Sequence, residues 1–204
     1  LEEGDEKFQF EVLSLKPEIP LASIEATILN DDLIGRPDTD RLRGTDLADY
    51  IAPGLGDDEI TGGGGADLFA FQFGDSPLNT PNRISDFKFG VDKIRLFNAK
   101  QPGQPVIRPI ALYRASTNAT ATNMKQLAEA ICADANGKES GAQPCGPNEA
   151  VLVEATNRRI AGLYLFINDQ SAAPGGSGDL MIDLTQAGVT LPAFGPIDVN
   201  TMFG

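Results

Sequence analysis

The sequence predicts a fold dominated by β-structure, in which a parallel β-roll is followed by a β-rich C-terminal region with one α-helix. Three observations lead to this prediction. Residues 26–70 repeat in register every nine residues. Residues 149–185 contain three segments with the alternating or apolar pattern of β-strands. Residues 123–134 carry apolar side chains at helical spacing.

The nine-residue repeat defines the β-roll. The sixth residue of each block is an aspartate, namely Asp31, Asp40, Asp49, Asp58 and Asp67. The eighth residue is apolar, namely Leu33, Leu42, Ile51, Ile60 and Phe69. A block this short fits a six-residue loop and a three-residue strand whose eighth residue points inward. Two blocks therefore make one turn of a flattened coil, and the apolar residues of successive turns stack into a narrow core.

Stacking of the turns brings acidic side chains together. The next turn lies about 4.8 Å away, which places Asp40 beside Asp58 and Asp49 beside Asp67 along one edge. Two bare carboxylates at that distance repel by about 3–4 kcal/mol at an effective dielectric constant near 20. Residues 26–70 contain only three basic residues, all of them arginines. Because these are too few to neutralise the acids, we expect a bound cation between the loops.

The chemistry of the loops favours Ca²⁺ as that cation. Carboxylates and backbone carbonyls, without His or Cys, form the oxygen cage that Ca²⁺ prefers, whereas Mg²⁺ demands stricter geometry. Glycines let the carbonyls approach closely, and those expected to take part are Gly35, Gly44, Gly54, Gly56, Gly63 and Gly65. We expect two or three sites, mainly between loops 35–40 and 53–58 and between loops 44–49 and 62–67. The alternative is a calcium-free coil with solvated acids on its edge.

Two stretches resemble a known family. Residues 62–70, GGGGADLFA, resemble the calcium-binding nonapeptide GGxGxDxUx of RTX proteins. Residues 82–97 resemble the segment that follows these repeats in the C-terminal domain of serralysin-type secreted metalloproteases, whose acids help to complete the last calcium sites. The resemblance implies that role for Asp86 and Asp92, while Arg95 replaces a third acid of the pattern. Turn and cap roles are the alternative for both aspartates.

The C-terminal region is predicted less specifically. Residues 101–121 contain prolines and a polar run and predict a long loop, and residues 149–185 predict an antiparallel meander of three strands. Residues 149–186 also resemble the end of the serralysin-type domain and, more closely, the "bluetail" region of cyanobacterial surface proteins. Because the compact turn of the serralysin pattern is missing here, calcium binding is not transferred to Asp169 or Asp179. The resemblance implies a signal for type I secretion in roughly the last 50 residues.

Composition excludes several classes of function. The net charge of −13 disfavours nucleic acids and anionic membrane surfaces as partners, and no apolar run is long enough to span a membrane. The absence of His removes an imidazole base, a Ser-His-Asp relay and an HExxH zinc site. Cys132 and Cys145 have a spacing that suits a disulfide bond, which implies an oxidising compartment; two free thiols are the alternative.

These observations divide the chain into three parts. Residues 1–25 form a lead-in, with one strand at Phe8–Leu15, that we expect to follow a larger parent domain. Residues 26–97 form the calcium-binding roll, and residues 98–204 form a β-rich domain with helix 123–134. The function we expect is that of a non-catalytic, secreted or cell-surface module that folds on Ca²⁺ after type I export and stabilises the covalently attached upstream domain. The alternatives are a calcium-dependent surface-layer or adhesion module and the C-terminal half of a secreted metalloprotease.

Overall fold

The computed structural model describes residues 6–11, 23–28, 32–97, 107–169, 176, 178–186 and 188–204. Within these ranges the chain is rich in strands and has a single α-helix, which confirms the predicted fold class. The strands are β1 (Glu6–Glu11), β2 (Ser23–Ile28), β3 (Asp32–Ile34), β4 (Arg41–Arg43), β5 (Tyr50–Ala52), β6 (Glu59–Thr61), β7 (Leu68–Gln72), β8 (Arg83–Ile84), β9 (Lys93–Phe97), β10 (Ala111–Arg114), β11 (Glu149–Ala155), β12 (Gly162–Ile167), β13 (Leu180–Asp183) and β14 (Gly195–Ile197). The helix is α1 (Met124–Ala133), and Val199–Thr201 form one turn of 3₁₀-helix.

Alternate short strands of the repeat enter two parallel sheets. Strands β3, β5, β7 and β9 form one sheet, and β4, β6 and β8 lie side by side in the other. Leu33 pairs with Ile51, and Ile51 pairs with Phe69, so each turn takes the eighteen residues that the repeat predicts. The last turn is longer, and Phe69 pairs with Ile94, because the loop between β7 and β8 carries extra residues.

The eighth residues of the blocks form the core of the roll. Ile51, Ile60 and Phe69 are fully buried, and their neighbours along each short strand are more exposed. The Phe69 ring lies 6.0 Å from the Phe87 ring in a tilted arrangement. Burial of these alternating side chains holds the strands in register, since a slip by one residue would expose the whole apolar set.

The C-terminal region extends one sheet of the roll. Strand β8 pairs in parallel with β13, so the second sheet has eight strands in the order β14-β10-β11-β12-β13-β8-β6-β4. Strands β11, β12 and β13 form the predicted antiparallel meander. The predicted boundary after residue 97 therefore separates segments that share a sheet and a core.

The helix covers one face of this extended sheet. Leu127 and Ile131 of α1 are buried in a cluster with Val151 and Val153 of β11, while the intervening Leu152 belongs to the core of the roll. Successive residues of a strand point to opposite faces, so β11 contributes to both cores. The predicted helix is present, and no helix in the described ranges is long and apolar enough to cross a membrane.

The predicted loop at residues 101–121 is wrong over part of its length. Strand β10 lies within it and pairs in parallel with β11 and antiparallel with β14. The prolines that indicated a loop lie before β10 rather than inside it, where they interrupt no ladder. The described part of the N-terminal strand is Glu6–Glu11, paired with β2. Residues 12–15 of the predicted strand lie outside the described residues.

The two cysteines are adjacent but not bonded to each other. Both are buried and free, and the backbone N–H of Cys145 donates to the carbonyl of Cys132 at 3.0 Å. A hydrogen bond between the two side chains, together with burial, raises the pKa of the Cys145 thiol. The structure thus differs from the predicted disulfide bond and has the alternative, two free thiols.

The last residues of the chain pack against the end of the roll. Met202 and Phe203 are buried, and the N–H of Ile94 donates to the carbonyl of Met202 at 2.6 Å. The Lys93 ammonium donates to the carbonyl of Asn200 at 2.6 Å. The C-terminal tail therefore covers the edge of β9.

Candidate metal centre

The aspartates of the roll form two columns along the loops. The column that ends in Asn82 contains Asp40, Asp58 and Asn82, and the column that ends in Asp92 contains Asp49, Asp67 and Asp92. In both, the backbone N–H of each member donates to the side-chain Oδ1 of the next member, at 2.9 to 3.1 Å. The structure thus brings together the two predicted pairs. It places them on opposite edges rather than on one, because successive loops connect the two sheets in opposite directions. Asp31 lies outside the described residues.

The second carboxylate oxygen distinguishes the members of the columns. In Asp40, Asp49 and Asp92, Oδ2 accepts the N–H of the residue four positions earlier, at 2.6, 2.8 and 2.7 Å. In Asp58 and Asp67, Oδ2 is buried and has no hydrogen-bond partner, and these two side chains are only 1% exposed. A buried carboxylate oxygen without a partner is costly, so these two oxygens indicate a missing ligand.

Glycines explain why these two oxygens are left without a partner. The residue four positions before Asp58 is Gly54, with φ of +78°, and the one before Asp67 is Gly63, with φ of +95°. This left-handed conformation turns the N–H away from the aspartate. The N–H of Gly63 donates instead to Oδ2 of Asp86 at 2.8 Å. The glycine-rich loops therefore leave Oδ2 of Asp58 and of Asp67 without a hydrogen-bond donor.

The other predicted glycines let adjacent loops approach closely. A Cβ at Gly56 would lie 2.5 Å from the carbonyl oxygen of Asp38, and a Cβ at Gly65 would overlap the carbonyl of Leu47. Gly35 and Gly44 pack in the same way against the carbonyls of the next turn. Backbone carbonyls of one loop thus lie directly against the backbone of the next.

Burial and like charges destabilise the ionised forms of these aspartates. Burial raises the pKa of Asp58 to about 6, and the charges of Asp40 and Asp57 act in the same direction. Burial likewise raises the pKa of Asp67 to about 6, supported by the charges of Asp92 and Asp49. At neutral pH the two columns therefore hold closely spaced, buried negative charges, and a bound cation would relieve their repulsion.

The residues present fit Ca²⁺ as the missing ligand. Each loop pair offers an unpartnered carboxylate oxygen and closely spaced carbonyls, and Ca²⁺ accepts such hard oxygen donors in number. In the part of the chain that the structure describes, no group of three or more His, Cys, Asp or Glu side chains could hold a metal. Carbonyl oxygens therefore have to supply most of the ligands at each site.

Asp86 and Asp92 are engaged by the backbone. Both oxygens of Asp86 accept N–H groups, from Gly62 and Gly63, each at 2.8 Å. The two oxygens of Asp92 accept the N–H groups of Asp67 and Lys88. These contacts are typical of turn and cap residues. The sequence left that role open for both aspartates, as the alternative to metal binding.

Asn82 belongs to one of the columns, although the sequence pattern did not indicate it as a site residue. It lies two residues before the buried Ile84, as Asp58 lies two residues before Ile60. That spacing from a strand residue was the available signal. The extra residues between β7 and β8 obscured it, since they break the nine-residue count.

In metal-free protein, the raised pKa values predict that stability falls as pH rises from about 4 to above 6. The folded carboxyls of Asp58 and Asp67 hold their protons up to about pH 6, whereas the unfolded chain releases them near 3.8. The folded state therefore binds more protons in this window, and its advantage is lost as pH rises through the folded pKa. Far-UV circular dichroism between pH 4.5 and 7.5, in buffer freed of metal by a chelating resin, tests this, since the β-structure of the roll should decrease as pH rises. The same slope in the D58N/D67N variant would contradict it.

A comparison with protein families places these features in a known group. The family model described as Peptidase M10 serralysin C terminal matches residues 30–131, which is half of the chain. The matched range contains both aspartate columns and most of α1. A search of curated proteins finds no match to this chain.

Proposed function

The chain belongs to the serralysin C-terminal family of the M10 peptidases, and on that premise we propose that it is a non-catalytic, calcium-binding module of a secreted bacterial protein. Its coil is of the RTX type, with residues 62–70 as the most complete repeat. The tail resembles the "bluetail" region of surface proteins. The module stabilises a domain covalently attached upstream of it in the parent protein.

The unpartnered Oδ2 atoms of Asp58 and Asp67 are the observation that carries the proposal. They support one Ca²⁺ between loops 35–40 and 53–58 and a second between loops 44–49 and 62–67. The carbonyls that lie against Gly56 and Gly65 supply further oxygens. Two ions, one on each edge, account for both orphaned oxygens.

The columns couple the folding of the roll to the presence of metal. Bound Ca²⁺ supplies the positive charge and the oxygen coordination that the columns lack. Without it, Asp58 faces Asp40, and Asp67 faces both Asp49 and Asp92, at close range. Their repulsion opposes the register that buries Ile51 and Phe69. Because a preformed site does not exist in the unfolded chain, binding free energy becomes folding free energy.

This coupling suits passage through a type I secretion apparatus. Extracellular calcium modules bind with dissociation constants of about 10⁻⁴–10⁻³ M, so in the calcium-poor cytosol the roll stays unfolded and able to pass a narrow channel. Outside the cell, millimolar Ca²⁺ folds it. The last 50 residues or so carry the export signal.

Removal of calcium is expected to unfold the roll. Far-UV circular dichroism in excess EGTA should show loss of β-structure, and millimolar Ca²⁺ in excess of the chelator should restore it. Mg²⁺ at the same concentration should restore little, because it retains its waters and demands octahedral geometry. A spectrum that is unchanged by EGTA would contradict calcium-coupled folding.

A further inference from the structure

A third loop pair continues the column that ends in Asp92. Loops 62–67 and 86–92 stack as the two calcium-binding pairs do, and the N–H of Asp67 donates to Oδ1 of Asp92 at 3.1 Å. The aspartate of its later loop has no orphaned oxygen, since Oδ2 of Asp92 accepts the N–H of Lys88 at 2.7 Å. The unpartnered Oδ2 of Asp67 belongs to the loop that this pair shares with the second calcium-binding pair. The third pair therefore differs from the other two, in which the unpartnered oxygen belongs to the aspartate of the later loop.

Lys88 brings its own positive charge into this pair. Its backbone belongs to loop 86–92, but its ammonium reaches the neighbouring loop and donates to the carbonyl of Gly63 at 2.5 Å. A side-chain ammonium thus contacts a loop carbonyl of the kind that would otherwise face a metal ion. Burial raises the pKa of Asp67 and of Asp92, and the charge of Lys88 opposes that rise in both.

The column that ends in Asn82 also gains no further negative charge at its last member, but for a different reason. Its last member is Asn82, whose Oδ1 accepts the N–H of Asp58 at 3.1 Å without adding a charge. One column therefore ends in a neutral amide, and the other ends in an aspartate with a lysine beside it. In both, the negative charge stops accumulating at the third turn.

We propose that the Lys88 ammonium takes the place of a calcium ion in the third loop pair and so limits the column that ends in Asp92 to one metal site. The inference rests on the proposed function, because it presumes calcium in the earlier loop pairs. It assigns to Lys88, an exposed residue, the role of a cation that the chain itself supplies. The residue sets how many ions the roll binds, rather than whether the roll binds them.

Calcium stoichiometry of the full chain tests this inference. Metal-stripped protein is titrated with CaCl₂ by isothermal calorimetry for wild type, Lys88→Met and Lys88→Arg. We expect two ions per chain for wild type and for Lys88→Arg, and three for Lys88→Met. Lys125→Met is the matched control and should bind two, because this exposed lysine lies on α1 and pairs with Glu129. If Lys88→Met folds poorly, Lys88→Gln supplies a second neutral variant.

The outcomes separate the inference from the function on which it rests. Wild-type protein that binds no calcium would overturn both. Wild-type binding of two ions, with the same number in folded Lys88→Met and Lys88→Gln, would overturn the role of Lys88 alone. A tighter affinity without a third ion would also overturn it, since Lys88 would then compete with metal rather than replace it.

Discussion

Replacement of Asp58 and Asp67 together by asparagine is expected to remove most of the stabilisation that calcium gives this chain. A ligand present at one hundred times its dissociation constant stabilises the folded state by about 2.7 kcal/mol per site. Two sites therefore contribute about 5 kcal/mol. The double variant loses both unpartnered oxygens, so urea unfolding in saturating calcium should show a loss of about this size.

Asparagine is the appropriate replacement because the structure already uses it in a column. The Oδ1 of Asn82 accepts the N–H of Asp58, so an amide preserves the backbone contact and removes only the charge. In metal-free buffer the variant should be at least as stable as wild type, since its columns no longer repel. A double E129Q/E139Q variant is the matched control, because both of those glutamates are exposed and neither lies in the roll. Equal calcium responses in the two double variants would contradict the proposed sites.

Truncation of Phe69 to alanine is expected to destabilise the roll by about 3–5 kcal/mol. Phe69 is fully buried, lies between Ile51 and Ile94 in the parallel sheet and contacts the Phe87 ring. The flanking turns are fixed by their own ladders, so the cavity can close only in part. Thermal unfolding in calcium should show a melting temperature lower by about 10 °C, at the 2–4 °C per kcal/mol typical of chains this long.

Leu55→Ala is the control for this truncation. Leu55 lies in a loop of the same repeat and is 54% exposed, so its loss should change stability by no more than about 0.5 kcal/mol. A similar loss in both variants would mean that the eighth residues of the blocks do not form the core of the roll.

The nine-residue register determined most of the roll from sequence. It placed Leu33, Ile51 and Phe69 in one stack and Leu42 and Ile60 in the other, and the strand pairs have this register. A strong local period is sufficient here, because each strand is three residues long and is followed at once by its loop. The helix was equally clear, since its apolar residues recur on one face.

The joining of the roll to the C-terminal sheet had no local signal. The parallel contact of β8 with β13 brings Arg83 beside Asp183 across one hundred residues of chain. The strand β10 is short and follows prolines, so its composition indicated a loop. Long-range pairing of this kind depends on which edges remain open once the roll has formed, and that information is not contained in any one segment.

The pairing of the aspartates into columns was predictable from sequence, but the different hydrogen bonding of their members was not. The sequence identified Asp58 and Asp67 together with Asp40 and Asp49, as equivalent members of one repeat. The glycines at positive φ make the first two different, because they remove an N–H that the other aspartates accept. The contact of Lys88 with the Gly63 carbonyl also depends on loop stacking that the sequence pattern does not express.

Anomalous X-ray scattering from crystals grown in calcium measures the central claim most directly. We expect two calcium peaks, one beside Oδ2 of Asp58 and one beside Oδ2 of Asp67, each ringed by oxygens at about 2.3–2.6 Å. Density without an anomalous signal at both positions, with water or a side-chain ammonium against those oxygens, would contradict the account.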